Sequence, residues 1–136
     1  TMQGIRAVNH ILKKQDEIRL DIMPAAVFTH PEVASVGLTE DQCKAAGIPF
    51  ICNKAYYRAN GKALAMEETD GIVKLVANEN GKIIGCHILG AHAADMVQEI
   101  AALMNRDTTI GQLRDIVHIH PTLGELVQEA AMMMKI

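Results

Sequence analysis

The stretch IVKLVANENGKIIGCHIL, residues 72–89, decides the fold of this sequence. Two runs rich in β-branched and aliphatic residues, Ile72–Ala77 and Lys82–Leu89, flank a short polar segment. That segment ends in Asn80 and Gly81, two residue types that accept the positive φ angles of a tight hairpin turn. The pattern therefore predicts two antiparallel strands joined directly to each other, and it is the clearest hairpin signal in the chain.

Upstream of the hairpin the sequence predicts strands and helices. Short apolar, β-prone runs predict three further strands, at Ala25–Thr29, Ala34–Leu38 and Ile48–Tyr57. Thr39 and Gln42 have the T-x-x-Q spacing of a capping box. A short helix is therefore expected to run to about Ala46 and to stop at Gly47. Apolar residues at helical spacing at the start of the chain predict one helix over Thr1–Leu20.

Downstream of the hairpin the pattern changes to that of helices. Apolar spacing predicts a long helix over about Ala93–Asn105 and a short one over Thr108–Asp115. A last apolar stripe at helical spacing predicts a final helix, and it consists of Leu123, Leu126, Val127, Ala130, Ala131 and Met134. Hairpin-connected strands followed by helices indicate an α+β fold, with an antiparallel β-sheet and helices packed on one side of it.

The composition excludes several classes of protein. With 136 residues, 49% of them hydrophobic and 21% charged, the chain has the balance of one cored domain. A net charge of −3 and no basic run beyond Lys13 and Lys14 argue against nucleic acid as a partner. No apolar stretch approaches the about 20 residues that span a bilayer, so we expect no membrane contact. Three cysteines without C-x-x-C spacing indicate reduced thiols in a cytoplasmic protein.

The segment VHIHPTLGE, residues 117–125, contains the densest group of polar residues. Histidine exchanges protons near neutral pH, and a carboxylate that accepts a hydrogen bond from one ring nitrogen sets the tautomer of the ring. His120 and Glu125 are therefore candidates for a general base and the residue that orients it. Thr122 and Glu125 also have the spacing of a capping box, so a structural role for Glu125 stays open beside the catalytic one.

A metal site is an alternative use of the same segment. In an extended H-x-H sequence, His118 and His120 would point to the same face, as two zinc ligands do. The sequence has no cysteine or further histidine at ligand spacing, so we predict no metal here. It also lacks the glycine-rich loops G-x-G-x-x-G and G-x-x-x-x-G-K-[ST], so we predict no dinucleotide site within this chain.

Three segments together resemble the last domain of a known enzyme family. They are PAAVFTHPEVASVGLTEDQ from Pro24, TDGIVKLVANENGKIIGCHILGAHAADMVQE from Thr69 and HIHPTLGE from His118. In motifs, order and spacing they are similar to the C-terminal dimerisation (interface) domain of the pyridine nucleotide-disulfide oxidoreductases. The likeness implies that residues 23–136 form this domain and that residues 1–22 contain a helix leading in from a flavin-binding domain.

Within that family the segments are most similar to the dihydrolipoamide dehydrogenases. Mercuric reductases usually end in a vicinal cysteine pair, and this sequence has no cysteine after Cys86. A glutathione reductase remains an alternative, since one helix and one loop do not define a disulfide substrate. A non-catalytic self-association module is a further alternative, from a different class of protein.

The resemblance implies a function that the residues alone do not show. In this family electrons pass from dihydrolipoamide to an active-site disulfide, to FAD and then to NAD. A histidine from the partner subunit of a homodimer accepts and returns the thiol protons. The matching residue is His120, with Glu125 as its orienter, whereas His118 does not match the base. The likeness also implies lipoyl-bearing components of 2-oxo acid dehydrogenase complexes as partners.

Several parts of that machinery do not occur in the sequence. The flavin fingerprint, the nicotinamide fingerprint and the redox-active cysteine pair are missing, and none of Cys43, Cys52 and Cys86 can replace the pair. We therefore expect a fragment that is inactive alone and binds neither FAD nor NAD tightly, with at most edge contacts to FAD near Met23–Thr29. The helices near the middle and end of the chain are candidates for the contact between subunits, around Met96 and Leu126.

Overall fold

The structure is a computed structural model that describes residues 1–135, so Ile136, the last residue of the predicted domain, lies outside the described residues. Its centre is an antiparallel β-sheet. The strands of the described chain are β1 (Ala25–Val27), β2 (Val33–Gly37), β3 (Phe50–Tyr56), β4 (Ile72–Asn78) and β5 (Ile83–Leu89). They lie side by side in the order β1-β2-β5-β4-β3, and every neighbouring pair is antiparallel.

Helices precede, interrupt and follow the strands. Within residues 1–135 they are α1 (Met2–Ile11), α2 (Glu40–Ala45), α3 (Gly61–Ala65), α4 (Ala93–Asn105), α5 (Ile110–Arg114) and α6 (Glu125–Met132). A 3₁₀ turn, Tyr57–Ala59, joins β3 to α3. No helix in this described part of the chain has the length and apolar character needed to cross a membrane.

The predicted hairpin is confirmed as β4 and β5. The two strands pair from Ile72 opposite Leu89 to Ala77 opposite Ile83. Gly81 has φ +77° in the turn, which is the left-handed conformation that glycine adopts without steric cost. The side-chain oxygen of Asn78 accepts hydrogen bonds from two backbone N–H groups across the turn, and the polar segment therefore stabilises its own conformation.

One face of the sheet forms the main hydrophobic core. Leu75 of β4 and Cys86 of β5 pair across the two strands, and both side chains are completely buried. Helix α4 covers β1, β2 and β5, whereas α6 covers β3 and β4. Helix α5 packs against α6 and contributes Ile110 and Leu113 to the same core. The predicted α+β fold with helices packed on an antiparallel sheet is confirmed.

The short helix α2 lies on the opposite face of the sheet. Side chains alternate between faces along a strand, so Lys74 points away from its neighbour Leu75 in the core. The Lys74 Nζ atom lies 2.7 Å from a carboxylate oxygen of Glu40 in α2. This ammonium group lowers the pKa of the Glu40 carboxyl. The predicted capping box of Thr39 and Gln42 is present at the start of α2.

The first helix is shorter than predicted. It ends at Ile11 instead of Leu20, and Lys13 just after it has φ +54°. Asp16 then accepts hydrogen bonds from Arg6 Nε at 2.7 Å and from Asn9 Nδ2 at 3.0 Å. These contacts fold the following segment back against the helix. The run of charged residues after Ile11 therefore forms a return segment and not a further helical turn.

The third strand also ends earlier than predicted, because Tyr57 leaves the sheet. Its ring is fully buried, and its hydroxyl donates a hydrogen bond to the Ala91 carbonyl at 2.8 Å. Gly71 and Gly90 lie directly against the ring, where a Cβ atom on either would come within 3 Å of a ring carbon. Tyr57 thus connects the end of β3 to the segment that precedes α4, through its hydrogen bond to Ala91 and its packing against Gly90.

Replacing Gly90 by alanine tests this packing. Gly90 has φ +144°, and an added Cβ would lie 2.5 Å from Tyr57 Cζ. We expect Gly90→Ala to lower the free energy of unfolding by about 2 kcal/mol, because overpacking and a left-handed alanine both cost energy. Gly61→Ala is the matched control, since nothing lies within 4 Å of its added Cβ. Urea denaturation followed by circular dichroism measures both, and equal stabilities would contradict this packing.

Candidate functional site

The predicted site residues lie on the connection between α5 and α6, residues 116–124, which we call the histidine loop. The beginning of the loop is attached to α6. Gln128 Nε2 donates a hydrogen bond to the Ile116 carbonyl at 2.8 Å, and Arg114 Nε donates one to the Ala131 carbonyl at 2.9 Å. Since Leu126 and Val127 of α6 are buried in the core, these bonds connect the loop to a firmly packed helix.

His120 and Glu125 come together as predicted. His120 Nδ1 lies 2.8 Å from Glu125 Oε1, and the histidine side chain is 80% exposed. An ionised carboxylate only accepts hydrogen bonds, so the proton of this contact belongs to Nδ1. In the neutral ring the lone pair is then on Nε2. The exposed nitrogen is therefore the one that can accept a proton from another molecule.

Glu125 uses both of its carboxylate oxygens. Oε1 faces His120, and Oε2 accepts a hydrogen bond from the Thr122 backbone N–H at 2.8 Å. These contacts hold the pKa of Glu125 below its ordinary value. The hydrogen bond from the Thr122 N–H has the larger effect, and the contact with His120 has the smaller one. The carboxylate therefore stays charged at neutral pH, where it accepts the hydrogen bond from Nδ1 and fixes the tautomer of His120.

The capping box considered for Thr122 and Glu125 forms only in part. Glu125 does bind the Thr122 N–H, which is the carboxylate half of the motif. The Thr122 hydroxyl instead donates to the Ile119 carbonyl at 2.6 Å, and Gly124 is the N-cap of α6 without a side-chain cap. The orienting and structural roles of Glu125 are thus compatible, because each uses a different oxygen.

His118 does not share the environment of His120. Its side chain is only 7% exposed, with Nε2 lying 3.0 Å from Glu99 Oε1 of α4 and Nδ1 lying 3.0 Å from the Ile116 carbonyl. The expectation that the rings of His118 and His120 point to one face is wrong. Glu99 binds the His118 ring in a buried position, whereas the His120 ring is exposed. Across residues 1–135, no group of three or more His, Cys, Asp or Glu residues is arranged to hold a metal ion.

Three residues that support the loop were not identified from the sequence. Asn60 donates a hydrogen bond to the Thr122 carbonyl, Glu99 contacts His118, and Gln128 binds the loop backbone. For Asn60 a signal existed, since asparagine before a short helical run is a favoured N-cap. Glu99 and Gln128 are polar residues within helices, and nothing local distinguishes them from ordinary surface positions.

Two cavities of the described residues lie near positions singled out from the sequence. An open groove of about 250 Å³ lies beside His120, and Glu125 and Glu129 make part of its wall acidic. A larger cleft of about 640 Å³ is lined partly by Met23 and by Arg19. That guanidinium group already binds the carboxylates of Asp21 and Asp107. Neither of these two cavities has the glycine-rich helix start that cradles a pyrophosphate.

Comparison with known proteins identifies a family that matches most of this chain. The family model for the dimerisation domain of the pyridine nucleotide-disulphide oxidoreductases matches residues 23–131. A dihydrolipoyl dehydrogenase of Synechocystis is 44% identical over 133 residues, covering 94% of this chain and 28% of the relative. The dihydrolipoyl dehydrogenase of Bacillus subtilis is 42% identical over 130 residues, covering 95% of this chain and 28% of the relative.

A solved structure gives the same result. The crystal structure of LpdA from Mycobacterium tuberculosis superposes with a TM-score of 0.88 at 29% identity. The match covers 96% of this chain and 29% of that one. The chain therefore spans between a quarter and a third of the length of the proteins that it resembles.

The lowered pKa of Glu125 predicts a pH-dependent stability. A carboxyl group whose folded pKa is depressed stabilises the fold above its ordinary pKa, and this contribution is lost as the pH falls through the folded pKa. We expect Glu125→Gln to lower the free energy of unfolding at neutral pH, and the difference from the unchanged chain to vanish in strong acid. Urea denaturation at a series of pH values measures this difference.

The matched control is Glu129→Gln, one turn later on the same helix and beside the same groove. Glu129 has no side-chain hydrogen bond to any other residue between 1 and 135, so its replacement removes none of the contacts that Glu125 makes. Equal profiles for the two variants would contradict the role assigned to the Glu125 contacts.

Proposed function

Because this chain belongs to the dimerisation-domain family of the pyridine nucleotide-disulphide oxidoreductases, we propose that it is the C-terminal interface domain of a dihydrolipoamide dehydrogenase. The domain comprises residues 23–136, and residues 1–22 lead into it from a flavin-binding part of the protein. The dihydrolipoyl dehydrogenases among the similar proteins favour this group over the glutathione and mercuric reductases. The complete protein oxidises dihydrolipoamide to lipoamide, with FAD as its flavin and NAD as the electron acceptor.

The exposed pair of His120 and Glu125 is the observation that carries this proposal. The His120 side chain is 80% exposed, so the groups that it serves lie outside residues 1–135. Its loop neighbours Val117 and Ile119 are 94% and 79% exposed, although both are apolar. An apolar loop with a histidine at its tip suits insertion into a second subunit, where Val117 and Ile119 become buried.

The proposed assembly is a homodimer in which each histidine loop reaches the active-site disulfide of the other subunit. A two-fold axis makes the two contacts equivalent, so both sites are complete at once. Lipoyl-bearing components of 2-oxo acid dehydrogenase complexes are the proposed partners of the dimer, since they carry the dihydrolipoamide. FAD and NAD would bind to the rest of the protein, where they would supply the electron acceptors for the reduced disulfide.

The chemistry assigned to this chain is proton transfer. A thiolate and not a thiol is the nucleophile in disulfide exchange, so a base beside dihydrolipoamide raises the reactive fraction at neutral pH. His120 Nε2 accepts the thiol proton as the sulfur attacks the disulfide. The Glu125 carboxylate then stabilises the positive ring through its contact with Nδ1. In the reverse reaction the imidazolium returns the proton to the departing sulfur.

Replacing His120 by glutamine in the complete protein tests the proposal. We expect dihydrolipoamide-dependent NAD reduction to fall about 10²- to 10⁴-fold, which is the usual contribution of a general acid or base. FAD content and dimer mass should not change, because the His120 ring makes no contact with the core of this domain and glutamine is a polar side chain of similar size. Steady-state kinetics, the flavin absorbance spectrum and analytical ultracentrifugation measure the three quantities.

The control variant is His10→Gln on the exposed surface of α1, which should retain full activity. A complete protein that reduces NAD only with a different dithiol would overturn the assigned substrate. A His120→Gln variant as fast as the unchanged protein would instead overturn the assigned base. The 136-residue chain alone should show no turnover and no bound flavin.

A further inference from the structure

Asn60 occupies a buried position between the 3₁₀ turn and α3. It is 6% exposed and forms the N-cap of α3. Its Oδ1 atom accepts hydrogen bonds from the backbone N–H groups of Lys62 and Ala63, both at 3.0 Å. Its own backbone N–H donates to the Tyr57 carbonyl at 2.9 Å. These bonds hold the side-chain amide in one orientation, because both backbone donors require the oxygen on that side.

The other end of the same amide binds the histidine loop. Asn60 Nδ2 donates a hydrogen bond to the Thr122 carbonyl at 3.1 Å. Thr122 is thus held on both sides, since Glu125 accepts the hydrogen bond from its N–H. The second oxygen of Glu125 contacts His120 Nδ1. An unbroken series of hydrogen bonds therefore leads from the cap of α3 to the ring of His120.

Asparagine is the residue type that satisfies this position. It carries an acceptor and a donor on one short side chain, so it caps the helix and reaches the loop at the same time. Aspartate would keep the cap but would place a carboxylate oxygen against the Thr122 carbonyl. Serine would also keep the cap, but its hydroxyl is too short to reach the carbonyl. Either replacement leaves the Thr122 carbonyl without its donor.

We propose that Asn60 is a positioning residue for His120, holding the histidine loop through the Thr122 carbonyl so that Nε2 of the ring meets the thiol of the substrate. This inference rests on the proposed function, because it needs His120 to be the proton-handling group. Asn60 and His120 line the same groove, so a shift of the loop changes the position of the ring relative to the groove wall. Asn60 acts on the reaction through Thr122 and Glu125 and does not touch the substrate.

The test compares Asn60→Asp and Asn60→Ser with Thr39→Ala in the complete protein. The two Asn60 variants keep the cap of α3 and remove the donor to Thr122. Thr39→Ala removes the cap of α2 on the opposite face of the sheet, so it reports what a loss of stability alone does to activity. Hydrogen exchange followed by mass spectrometry measures the exchange rate of the peptide covering residues 119–125, and thus the mobility of the loop. Steady-state kinetics with dihydrolipoamide measures kcat and KM.

We expect both Asn60 variants to speed hydrogen exchange in residues 119–125 by roughly fivefold, the effect of losing one hydrogen bond. We expect kcat to fall about 10- to 100-fold with little change in KM, since a displaced base slows turnover without weakening binding. Thr39→Ala should change neither quantity. This pattern separates positioning from a general loss of stability.

Two results would overturn the inference. One is unchanged exchange in residues 119–125 in the Asn60 variants. The other is unchanged kcat in these variants, in a protein where His120→Gln lowers turnover by about 10²-fold or more. If His120→Gln is itself fully active, the assignment of His120 as the base fails and the inference fails with it. The His120 variant therefore identifies which of the two proposals is wrong.

Discussion

Leu75 and Cys86 face each other across the central strand pair, and both are completely buried beneath the helical layer. Fully burying a side chain of the size of leucine contributes about 1.5–3 kcal/mol, and β2, β3, β4 and β5 all add buried side chains to the same face. Helix α4 packs on β1, β2 and β5, and α6 packs on β3 and β4. The burial of this one face of the sheet therefore determines the positions of α4 and α6. The positions of the loops that lead into these two helices follow from it.

The histidine loop is a consequence of that packing. Glu125 is the first residue of α6, and the helix is held both by its core residues and by Asn53, which donates to the Ala130 carbonyl at 3.1 Å. The loop is then bounded by firmly packed elements, with α4 contributing Glu99 and the start of α3 contributing Asn60. An exposed reactive side chain keeps a defined geometry only when its supports are buried and bonded in this way.

Features that depend on neighbouring residues were predictable. The β4–β5 hairpin follows from a turn of Asn80 and Gly81 between two apolar runs, and the start of α2 follows from the Thr39 capping box. The helix predicted over Ala93–Asn105 has those bounds in the structure. The prediction for α1 failed because the return segment is stabilised by contacts of Asp16 with residues on the helix, and helical periodicity alone does not reveal such contacts.

The sequence by itself determined the α+β class, the central hairpin, the family resemblance and the closeness of His120 to Glu125. The hairpin and the His120–Glu125 contact rest on neighbouring residues, and the fold class and the resemblance rest on the order of local patterns along the chain. Only the tertiary structure decided that His118 is buried against Glu99, that His120 stays exposed and that Asn60 holds the loop. Asn60 and Thr122 are 62 positions apart, and His118 and Glu99 are 19 apart. Contacts at such separations exist only once the sheet and its helices have packed, so no local pattern encodes them.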